Sequence, residues 1–408
     1  MPGATIALRG MAWDHPRARD PLEAISASWT RTSGVPVKWD ARPLKDFEDQ
    51  PLEELATTYD LVLIDYPFMG VAAESGLIVP VDDWVDAAYL ADQAAHSVGS
   101  SYASYTWTGR QWALAIDAAC QVSALREDLW RAAGRGPLPQ TWDEVAALAA
   151  DCRNTPGSIA IPLNPNHAYC TFLSVGVSLV GANFWPAGEH PEQAAGVEAL
   201  EFLRRLARDL HPSSQSDDPI GISDRMAGTD EILYVPLMFG YSNYARPAFR
   251  AKELRFGNAP RGRSGAIGSV LGGVGMALSS RSGNRDAAAA LAREIGSPAV
   301  QCGAYARAGG QPGHGTAWES AEVNTLTGGF FKSTRATMNQ AFMRPRVMGH
   351  RRFQPLAGAL VHACLWTDRM PVRECLAEFG KLVESLLPDW GHTAPHSPAL
   401  MQSQGKSR

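Results

Sequence analysis

The sequence predicts an α/β protein of two lobes, each built on a parallel or mixed sheet, with helices at the C-terminal end. Strand-like and helix-like segments alternate over the first 65 or so residues, which is typical of strands joined by crossover helices. The chain has 408 residues, more than one ordinary domain core needs. Helical patterns then dominate from RDAAAALAREIG onward.

Five consecutive segments predict the secondary structure of the first lobe. TIALRGM is a strand, residues 21–29 form a helix, VPVKWDA is a strand, PLEELATTY is helical, and DLVLIDY is a buried strand. GRQWALAIDAACQVSALREDLW then predicts an extended segment that enters a new strand. This change of pattern marks the passage from one lobe to the other.

The second half repeats strands and helices before the helical end. Thr141 and Glu144 predict a capping box that starts a helix. The following elements are strand SIAIPL, helices over residues 169–180 and 194–210, strands ILYVPLMF and LRFGNAP, the glycine-rich strand SVLGGVGMALSS, and helices in RDAAAALAREIG, NTLTGGFFKSTRATMNQA, PLAGALVHACLW and VRECLAEFGKLVESLL. Residues 391–408 have no apolar period and predict a disordered tail.

Composition excludes several classes of function. A net charge of −5, 45% hydrophobic and 19% charged residues describe an ordinary globular protein and argue against nucleic acid as a partner. No window is apolar for the 18 or so residues that a membrane span needs, so we expect no membrane insertion. Six single cysteines show no zinc-ligand spacing, and we expect free thiols, no metal and no cofactor. We also expect a monomer.

The N-terminal residues leave two localisations open. The first twenty residues lack the charged region, apolar region and cleavage site of a secretory signal. If a leader is missing from this chain, the protein is periplasmic or lies at the cell surface. If Met1 is the true start, the protein is cytoplasmic.

Four segments together resemble a known family. They are YDLVLIDYPFMGVAAESGLIVPVDDWV, GRQWALAIDAACQVSALREDLWRAAG followed by PQTWDEV, LGGVGMALSSRS, and GGQPGHGTAW. They resemble the extracellular solute-binding proteins of ABC importers, in the family linked to carbohydrate uptake, which have the type II periplasmic-binding-protein fold. The resemblance covers residues 5–388. Ala115 departs from it, because such proteins often carry a proline there.

This resemblance implies a discontinuous lobe one of residues 1–117 and 270–320, and a lobe two of residues 118–269. Residues 321–390 would be helical and pack on lobe one and the hinge, and residues 391–408 would form the tail. The implied function is capture of a small polar solute, a sugar or sugar derivative, by hinge closure and its delivery to ABC permease subunits. No catalytic residue is required.

The loop after the first strand is the first candidate part of the binding site. Ligands of open sheets lie beyond the carboxyl ends of the strands. An indole can stack on a ring, and charged side chains can bind hydroxyl or anionic groups, so we predict that this loop contacts ligand through Trp13, Asp14, His15 and Arg17. Alternatively, Asp14 caps the next helix, with Pro16 in its first turn and Arg17 in solvent.

Other polar residues also follow strands. Asp65 and Tyr66 end a buried run, and Asp117 and Cys120 lie in the crossover between lobes. The loop FGYSNYARP offers stacking and hydrogen-bonding groups, and GGxG lets backbone approach a ligand. We predict ligand contacts from Asp65, Tyr66, Asp117 and Cys120, from Tyr241, Ser242, Asn243, Tyr244, Gly272 and Gly273 in these two segments, and from Gln311 in GGQPGHGTAW. Further polar candidates are His314, Arg344 and Arg346.

Two other functions stay open on the same fold. One is a cytoplasmic enzyme that uses Cys120 as nucleophile with Asp65 or Asp117 as base, by the logic of thiaminase I. The other is a cytoplasmic solute sensor. The common hydrolase, metalloprotease and kinase signatures do not occur in the sequence.

Overall fold

The computed structural model describes residues 7–42, 52–153, 157–367 and 370–388. The predicted tail over residues 391–408 lies outside this range. The described chain forms a mixed α/β fold with the predicted alternation of strands and helices. No helix in the described ranges is long and apolar enough to cross a membrane.

Eleven strands occur in the described chain, and nine of them form one mixed sheet in the order β2-β1-β3-β11-β7-β9-β8, with β4 paired to β11 and β10 paired to β7. Strands β5 and β6 form a separate hairpin. The strands are β1 Leu8–Trp13, β2 Val37–Arg42, β3 Leu61–Asp65, β4 Ile78–Val79, β5 Thr106–Trp107, β6 Arg110–Gln111, β7 Leu114–Leu125, β8 Ser158–Ile159, β9 Ile232–Phe239, β10 Arg255–Gly257 and β11 Leu271–Ser279.

Helices cover the two faces of this sheet. They are α1 Pro16–Ser33, α2 Leu52–Thr58, α3 Met69–Glu74, α4 Ala87–Ala95, α5 Ser101–Ser104, α6 Glu127–Ala132, α7 Trp142–Cys152, α8 Pro165–Val180, α9 Gln193–Ala207, α10 Pro219–Gly228, α11 Arg285–Gly296, α12 Pro298–Val300, α13 Gly315–Glu319, α14 Ala321–Leu326, α15 Phe330–Gln340, α16 His350–Trp366 and α17 Val372–Leu386. Short 3₁₀ turns follow β3 and β9, at Tyr66–Phe68 and Ser242–Ala245.

Strand β7 connects the two lobes. Its first half, through Cys120, pairs with β11, and its second half, from Gln121, pairs with β9 and β10. Strands β1 to β4 therefore lie on the lobe-one side of β7, and strands β8 to β10 lie on the lobe-two side. The exact lobe boundaries stay a prediction.

Two hydrophobic cores fill the molecule. The first lies under β1, β3 and the first half of β7 and extends across the hinge to Met238 and Phe256. The second lies mainly in lobe two, around the almost wholly buried helix α8. A helix that is apolar on nearly every side needs cover on every side, and this requirement explains where the C-terminal helices pack.

The C-terminal helices divide between the two cores. Helices α14 and α15 place Val323 and Phe331 in the first core. Helices α16 and α17 instead pack on α8 and α9, where Phe353 and Phe379 join the second core. Helix α16 also contacts the turn Tyr66–Phe68 of lobe one, so packing on lobe one and the hinge stays a prediction, while the apolar faces of both helices complete the cover of α8.

Local sequence signals explain several element ends. The capping box is confirmed: Thr141 Oγ1 accepts from the Glu144 backbone N–H, and the Glu144 carboxylate accepts from the Thr141 backbone N–H at 3.1 Å. The predicted strand SIAIPL is shorter than expected, because the chain turns toward α8 after two paired residues. The predicted helix NTLTGGFFKSTRATMNQA is broken in two at Gly328 and Gly329, both of which have positive φ.

Candidate functional site

A cavity lies between the lobes, at the carboxyl ends of β1, β3 and β9. It holds about 650 Å³ of empty space, counting the open solvent at its mouth. Both lobes contribute to its wall, and so do strands β7 and β11. The lining residues are Trp13, Arg17, Asp65, Asp117, Ala119, Asn166, His167, Pro219, Phe239, Tyr241, Gly272, Gly273, Val274 and Arg344.

A buried ion pair forms one wall of the cavity. Arg17 Nε donates to Asp117 Oδ2 at 2.8 Å, and Arg17 Nη2 donates to Asp117 Oδ1. The two side chains are only 5% and 0% exposed. Burial raises the pKa of Asp117, and the Arg17 guanidinium opposes that rise. The two-pronged geometry favours a charged pair, which such hydrogen bonds stabilise best.

Arg17 also connects elements that are far apart in sequence. It starts on α1 in lobe one, and its Nη1 donates to the carbonyl oxygen of Gly240, beyond β9, at 3.1 Å. Its guanidinium carbon lies 4.8 Å from the centre of the Tyr241 ring, within cation–π range. One side chain thus fixes the loop that carries Tyr241 against lobe one.

Asp65 supplies an acceptor without a partner. Its Oδ2 lies 3.9 Å from Arg344 Nη2, whereas its buried Oδ1 has no hydrogen-bond partner among the described residues. Burial raises the pKa of Asp65, and Arg344 opposes the rise. Buried polar atoms normally have partners, so this oxygen is available to a hydroxyl group in the cavity.

Arg344 is held in place by neighbours on three elements. Its backbone N–H and its Nε both donate to Tyr66 Oη at 3.1 Å, and its Nη1 donates to Gln354 Oε1 at 2.8 Å. Gln354 Nε2 donates in turn to Asn166 Oδ1 at 2.6 Å. The chain of hydrogen bonds orients Arg344 and Asn166 together at the cavity wall.

His167 stands on the first turn of α8, which Asn164 caps. His167 Nδ1 lies 2.8 Å from Asn164 Oδ1, and an amide oxygen only accepts, so Nδ1 carries the proton and Nε2 is the acceptor. Burial, aided by Arg344, lowers the pKa of His167 to about 3. The ring is therefore neutral at physiological pH, and it contacts the edge of Phe239 with ring centres 6.0 Å apart.

The two predicted glycines lie in the wall where side chains would collide. Gly273 has φ of 112°, and a Cβ there would lie 2.4 Å from the carbonyl oxygen of Asp117. A Cβ at Gly272 would lie 2.7 Å from the ring of Phe239. Glycine is required here because β11 passes so close to these cavity residues.

The structure brings seven of the fifteen predicted residues to the cavity and places eight outside its lining. The seven are Trp13, Arg17, Asp65, Asp117, Tyr241, Gly272 and Gly273. The eight are Asp14, His15, Tyr66, Cys120, Ser242, Asn243, Tyr244 and Gln311. Their roles as ligand contacts stay predictions, and the structure gives several of them supporting contacts.

The first loop differs from the alternative in which Asp14 caps the helix. His15 is the cap, because its Nδ1 accepts from the Arg17 backbone N–H at 3.0 Å. Burial lowers the pKa of His15 to about 3, which leaves the ring neutral and able to accept. Asp14 is exposed and pairs with Arg19 at 2.9 Å. Arg17 is buried rather than solvated, so that alternative is wrong on both points.

Gln311 and the turn Ser242–Ala245 support Tyr241. Gln311 Oε1 accepts from the Ser242 backbone N–H at 3.1 Å, and its Nε2 donates to the Ala118 carbonyl at 2.9 Å. Tyr244 donates from its hydroxyl to Asp224 at 2.8 Å. These bonds hold the turn after β9 against β7.

Cys120 lies on the opposite side of β7 from the cavity. Successive side chains of a strand alternate faces, and its neighbour Ala119 lines the cavity, whereas Cys120 packs in the first core and is 3% exposed. Burial raises the pKa of the Cys120 thiol to about 12. A thiol at neutral pH is a weak nucleophile, and the proposed base Asp117 is already bound to Arg17.

Seven lining residues were not among the predicted contacts. Arg344 was a further polar candidate, and Phe239 begins the loop FGYSNYARP. Asn166, His167 and Pro219 lie at the starts of helices. In the sequence, an Asn-Pro and an Asp-Pro pair mark these starts, because a capping residue followed by proline is typical of a helix N-terminus. Ala119 and Val274 are apolar strand residues for which the sequence contains no signal.

Sequence comparison shows which proteins this chain is similar to. The family described as bacterial extracellular solute-binding protein matches residues 24–325. No curated protein sequence matches the chain significantly.

Solved structures share the fold at low sequence identity. Maltose-bound MalE3 of T. maritima has a TM-score of 0.81 at 16% identity and covers 93% of this chain and 100% of its own. An ABC transporter solute-binding protein of Agrobacterium radiobacter K84 with ribitol has a TM-score of 0.78 at 20% identity, covering 94% and 100%. One of Thermotoga lettingae TMO with α-D-tagatose has a TM-score of 0.79 at 16% identity, covering 94% and 100%. These likenesses show the two-lobed fold.

Proposed function

The chain belongs to the bacterial extracellular solute-binding proteins, and we propose that it captures a small neutral solute rich in hydroxyl groups, a sugar or polyol. One observation carries the proposal: a cavity lined from both lobes, in which aromatic rings stand beside buried hydrogen-bonding groups whose charges balance. The structural relatives named with maltose, ribitol and α-D-tagatose support the same class of solute.

The balance of charge argues for a neutral solute. Two arginines and two aspartates line the cavity, and His167 is neutral because its pKa is lowered to about 3. Arg17 is bound to Asp117, and Arg344 lies near Asp65. A charged solute would leave one buried charge uncompensated, which costs several kcal/mol on the order expected for buried ions.

The available groups match hydroxyls on a carbon skeleton. Asp65 Oδ1 and His167 Nε2 can accept hydroxyl hydrogens, and Arg344 can donate. Trp13, Phe239 and Tyr241 supply aromatic faces in the same cavity, against which the C–H face of a sugar or polyol can pack.

Contributions from both lobes favour a closing mechanism. Trp13 and Asp65 lie on lobe-one strands, whereas His167 and Phe239 lie on lobe-two elements. A solute that contacts both sides binds the closed state better than the open one and shifts the population toward it. The long strand β7 is the element shared by both sides and is our candidate hinge.

We infer the cellular role from the family. An extracellular solute-binding protein acts outside the cytoplasm, in the periplasm or at the cell surface, and hands its solute to a permease. For this chain we propose ABC permease subunits as that partner.

Isothermal titration calorimetry tests the solute class. D-Mannitol, ribitol, D-tagatose, maltose and glucose are titrated beside two charged analogues, glucose 6-phosphate and glucosamine. We expect at least one neutral compound to bind with micromolar or tighter affinity and the charged analogues to bind at least tenfold more weakly than glucose. Tighter binding of a charged analogue, or no binding of any neutral compound, would contradict the proposal.

A pair of tryptophan variants tests the location. Trp13→Ala removes a ring from the cavity and should weaken binding by about 1–3 kcal/mol, taking aromatic stacking on nucleic-acid bases as the guide. Trp366→Ala is the matched control, because Trp366 is half-buried against the second core and away from the cavity lining. Equal affinity of both variants would remove Trp13 from the site.

A further inference from the structure

A second cluster of polar side chains lies outside the cavity. Asp92 is on α4, His96 follows the end of that helix, and His314 precedes α13. One ligand atom from each residue lies within 4.8 Å of the other two. We propose that these three residues bind a divalent transition-metal ion of the zinc class, independently of the solute cavity.

The distances suit a tetrahedral ion. Asp92 Oδ2 lies 3.2 Å from His314 Nε2, and Asp92 Oδ1 lies 3.0 Å from His96 Nδ1. Ligands bonded to zinc at about 2.0–2.1 Å with tetrahedral angles lie about 3.3 Å apart. Each of these distances uses a different oxygen of Asp92, so two edges of the tetrahedron form when the carboxylate turns to share one oxygen between the histidines. The third, between the two histidines, can close by rotation of His96, whose side chain is 44% exposed.

The surroundings hold one ligand firmly and leave room for water. The His314 side chain is 1% exposed, and its Nδ1 lies 2.8 Å from Thr316 Oγ1. Without an ion, Nδ1 accepts weakly from the Thr316 backbone N–H at 3.4 Å. In the metal-binding tautomer, Nδ1 would carry the proton and donate it to the Thr316 hydroxyl, which leaves Nε2 free for the ion, as second-shell partners of metal-binding histidines do. The rings of His96 and His314 stack with centres 4.8 Å apart. Asp92 and His96 are partly exposed, so water can complete the coordination.

The ligand types decide the class of ion. Two imidazoles and one carboxylate suit zinc, nickel or copper, whereas magnesium and calcium prefer oxygen ligands throughout. The sequence predicts no metal site, because no ligand spacing is visible. The fold supplies what the spacing lacks by bringing His314 next to Asp92 across 222 residues.

A bound ion would connect α4 to the segment before α13. Within that segment Gly313 donates from its backbone N–H to the Ile116 carbonyl at 3.1 Å, and Pro312 pairs with Asp117 on β7. The ion would thus brace the strand that carries the cavity's buried ion pair. Its role is structural support of lobe one near the hinge.

Titration of zinc chloride into tag-free, chelator-treated full-length protein tests the site. We expect one equivalent to bind with micromolar or tighter affinity, a higher melting temperature with zinc, and no comparable binding of magnesium chloride. Asp92→Asn and His96→Ala should each weaken zinc binding at least tenfold. Both side chains are partly exposed, so both variants should fold, which circular dichroism checks.

His190→Ala is the matched control. His190 also faces a carboxylate, Glu384, at 3.4 Å, and it belongs to no group of three possible ligands in the described chain. We expect its zinc affinity to equal that of the wild type. Absence of zinc binding by the wild type, unchanged binding by both site variants, or an equal loss in the control would overturn the proposal.

Discussion

The interlobe cavity and the second hydrophobic core are both buried, but their composition is opposite. In the core, Phe379 contacts the rings of Phe172, Trp185 and Phe353 with centres 5.3–5.5 Å apart. In the cavity, charged side chains stand beside the aromatic rings. Burial of apolar surface stabilises the fold, whereas burial of charged groups opposes it unless they are paired.

This difference indicates what each region is for. The core needs no partner beyond its own side chains. The cavity retains an acceptor, Asp65 Oδ1, for which the described part of the chain supplies no hydrogen-bond partner. We therefore expect core variants to change stability without affinity, and cavity variants to change affinity with smaller or opposite effects on stability.

The largest expected effect is the loss of the central core ring. Phe379→Ala leaves a cavity among the three rings of Phe172, Trp185 and Phe353 and should lower the free energy of unfolding by about 3–5 kcal/mol. Urea unfolding measures that loss. Solute affinity below the unfolding transition should match the wild type, because Phe379 is not part of the cavity lining. A large loss of affinity in the folded variant would break the contrast between the two regions.

A loss of about 3 kcal/mol is expected from Asp117→Asn. This value is the lower end of the range of stability losses for breaking a buried ion pair, because the amide oxygen of the new asparagine still accepts one hydrogen bond from Arg17. Unlike Phe379→Ala, this variant should also weaken solute binding, because it leaves an uncompensated arginine in the cavity. The double variant Arg17→Met, Asp117→Leu sharpens the test: it should recover stability but not affinity. Recovery of both would show that the pair is only structural.

The smallest effect on stability is expected from Asp65→Asn, which should raise stability or leave it unchanged, whereas the two variants above lower it. Burial raises the pKa of Asp65 in the folded protein. A raised pKa means that this group contributes stability while protonated, and that the contribution is lost as pH rises through the folded-state pKa. Ionisation of the buried carboxylate therefore opposes folding, so Asp65→Asn should unfold at equal or higher urea concentration than the wild type.

The same variant should bind solute more weakly. A hydrogen bond to a charged acceptor contributes about 1.5–3 kcal/mol, so we expect an affinity loss of about tenfold or more at pH values above the raised pKa of Asp65. Wild-type affinity should fall as pH is lowered through the raised pKa of Asp65, and calorimetry at several pH values should find no such fall in Asp65→Asn. A variant that is less stable and binds equally well would contradict the assigned role.

Local signals predicted most of the fold. The apolar run ILYVPLMF is β9 from end to end, and Thr141 and Glu144 cap α7 as their spacing predicts. Both depend on neighbours a few residues away. The packing of α16 and α17 on α8 was not predicted, because it depends on which sides of α8 remain open, and that is a property of the assembled core.

In the candidate site, too, the residues with local sequence signals were predicted and those that depend on distant partners were not. Trp13 and Asp65 were predicted because each ends a strand, where open sheets bind ligands. Arg344 was only a secondary candidate, and the burial of Arg17 was not foreseen, since its partner Asp117 lies 100 residues away. Pairings over such distances leave no pattern in a single sequence.

A crystal structure of the protein with the tightest-binding neutral compound of the calorimetric series tests the central claim most directly. We expect one solute molecule in the interlobe cavity, in contact with Trp13 or Asp65 from lobe one and with His167 or Phe239 from lobe two, and with a hydroxyl within hydrogen-bond distance of Asp65 Oδ1. A solute bound outside this cavity, or contacted from one lobe alone, would contradict it.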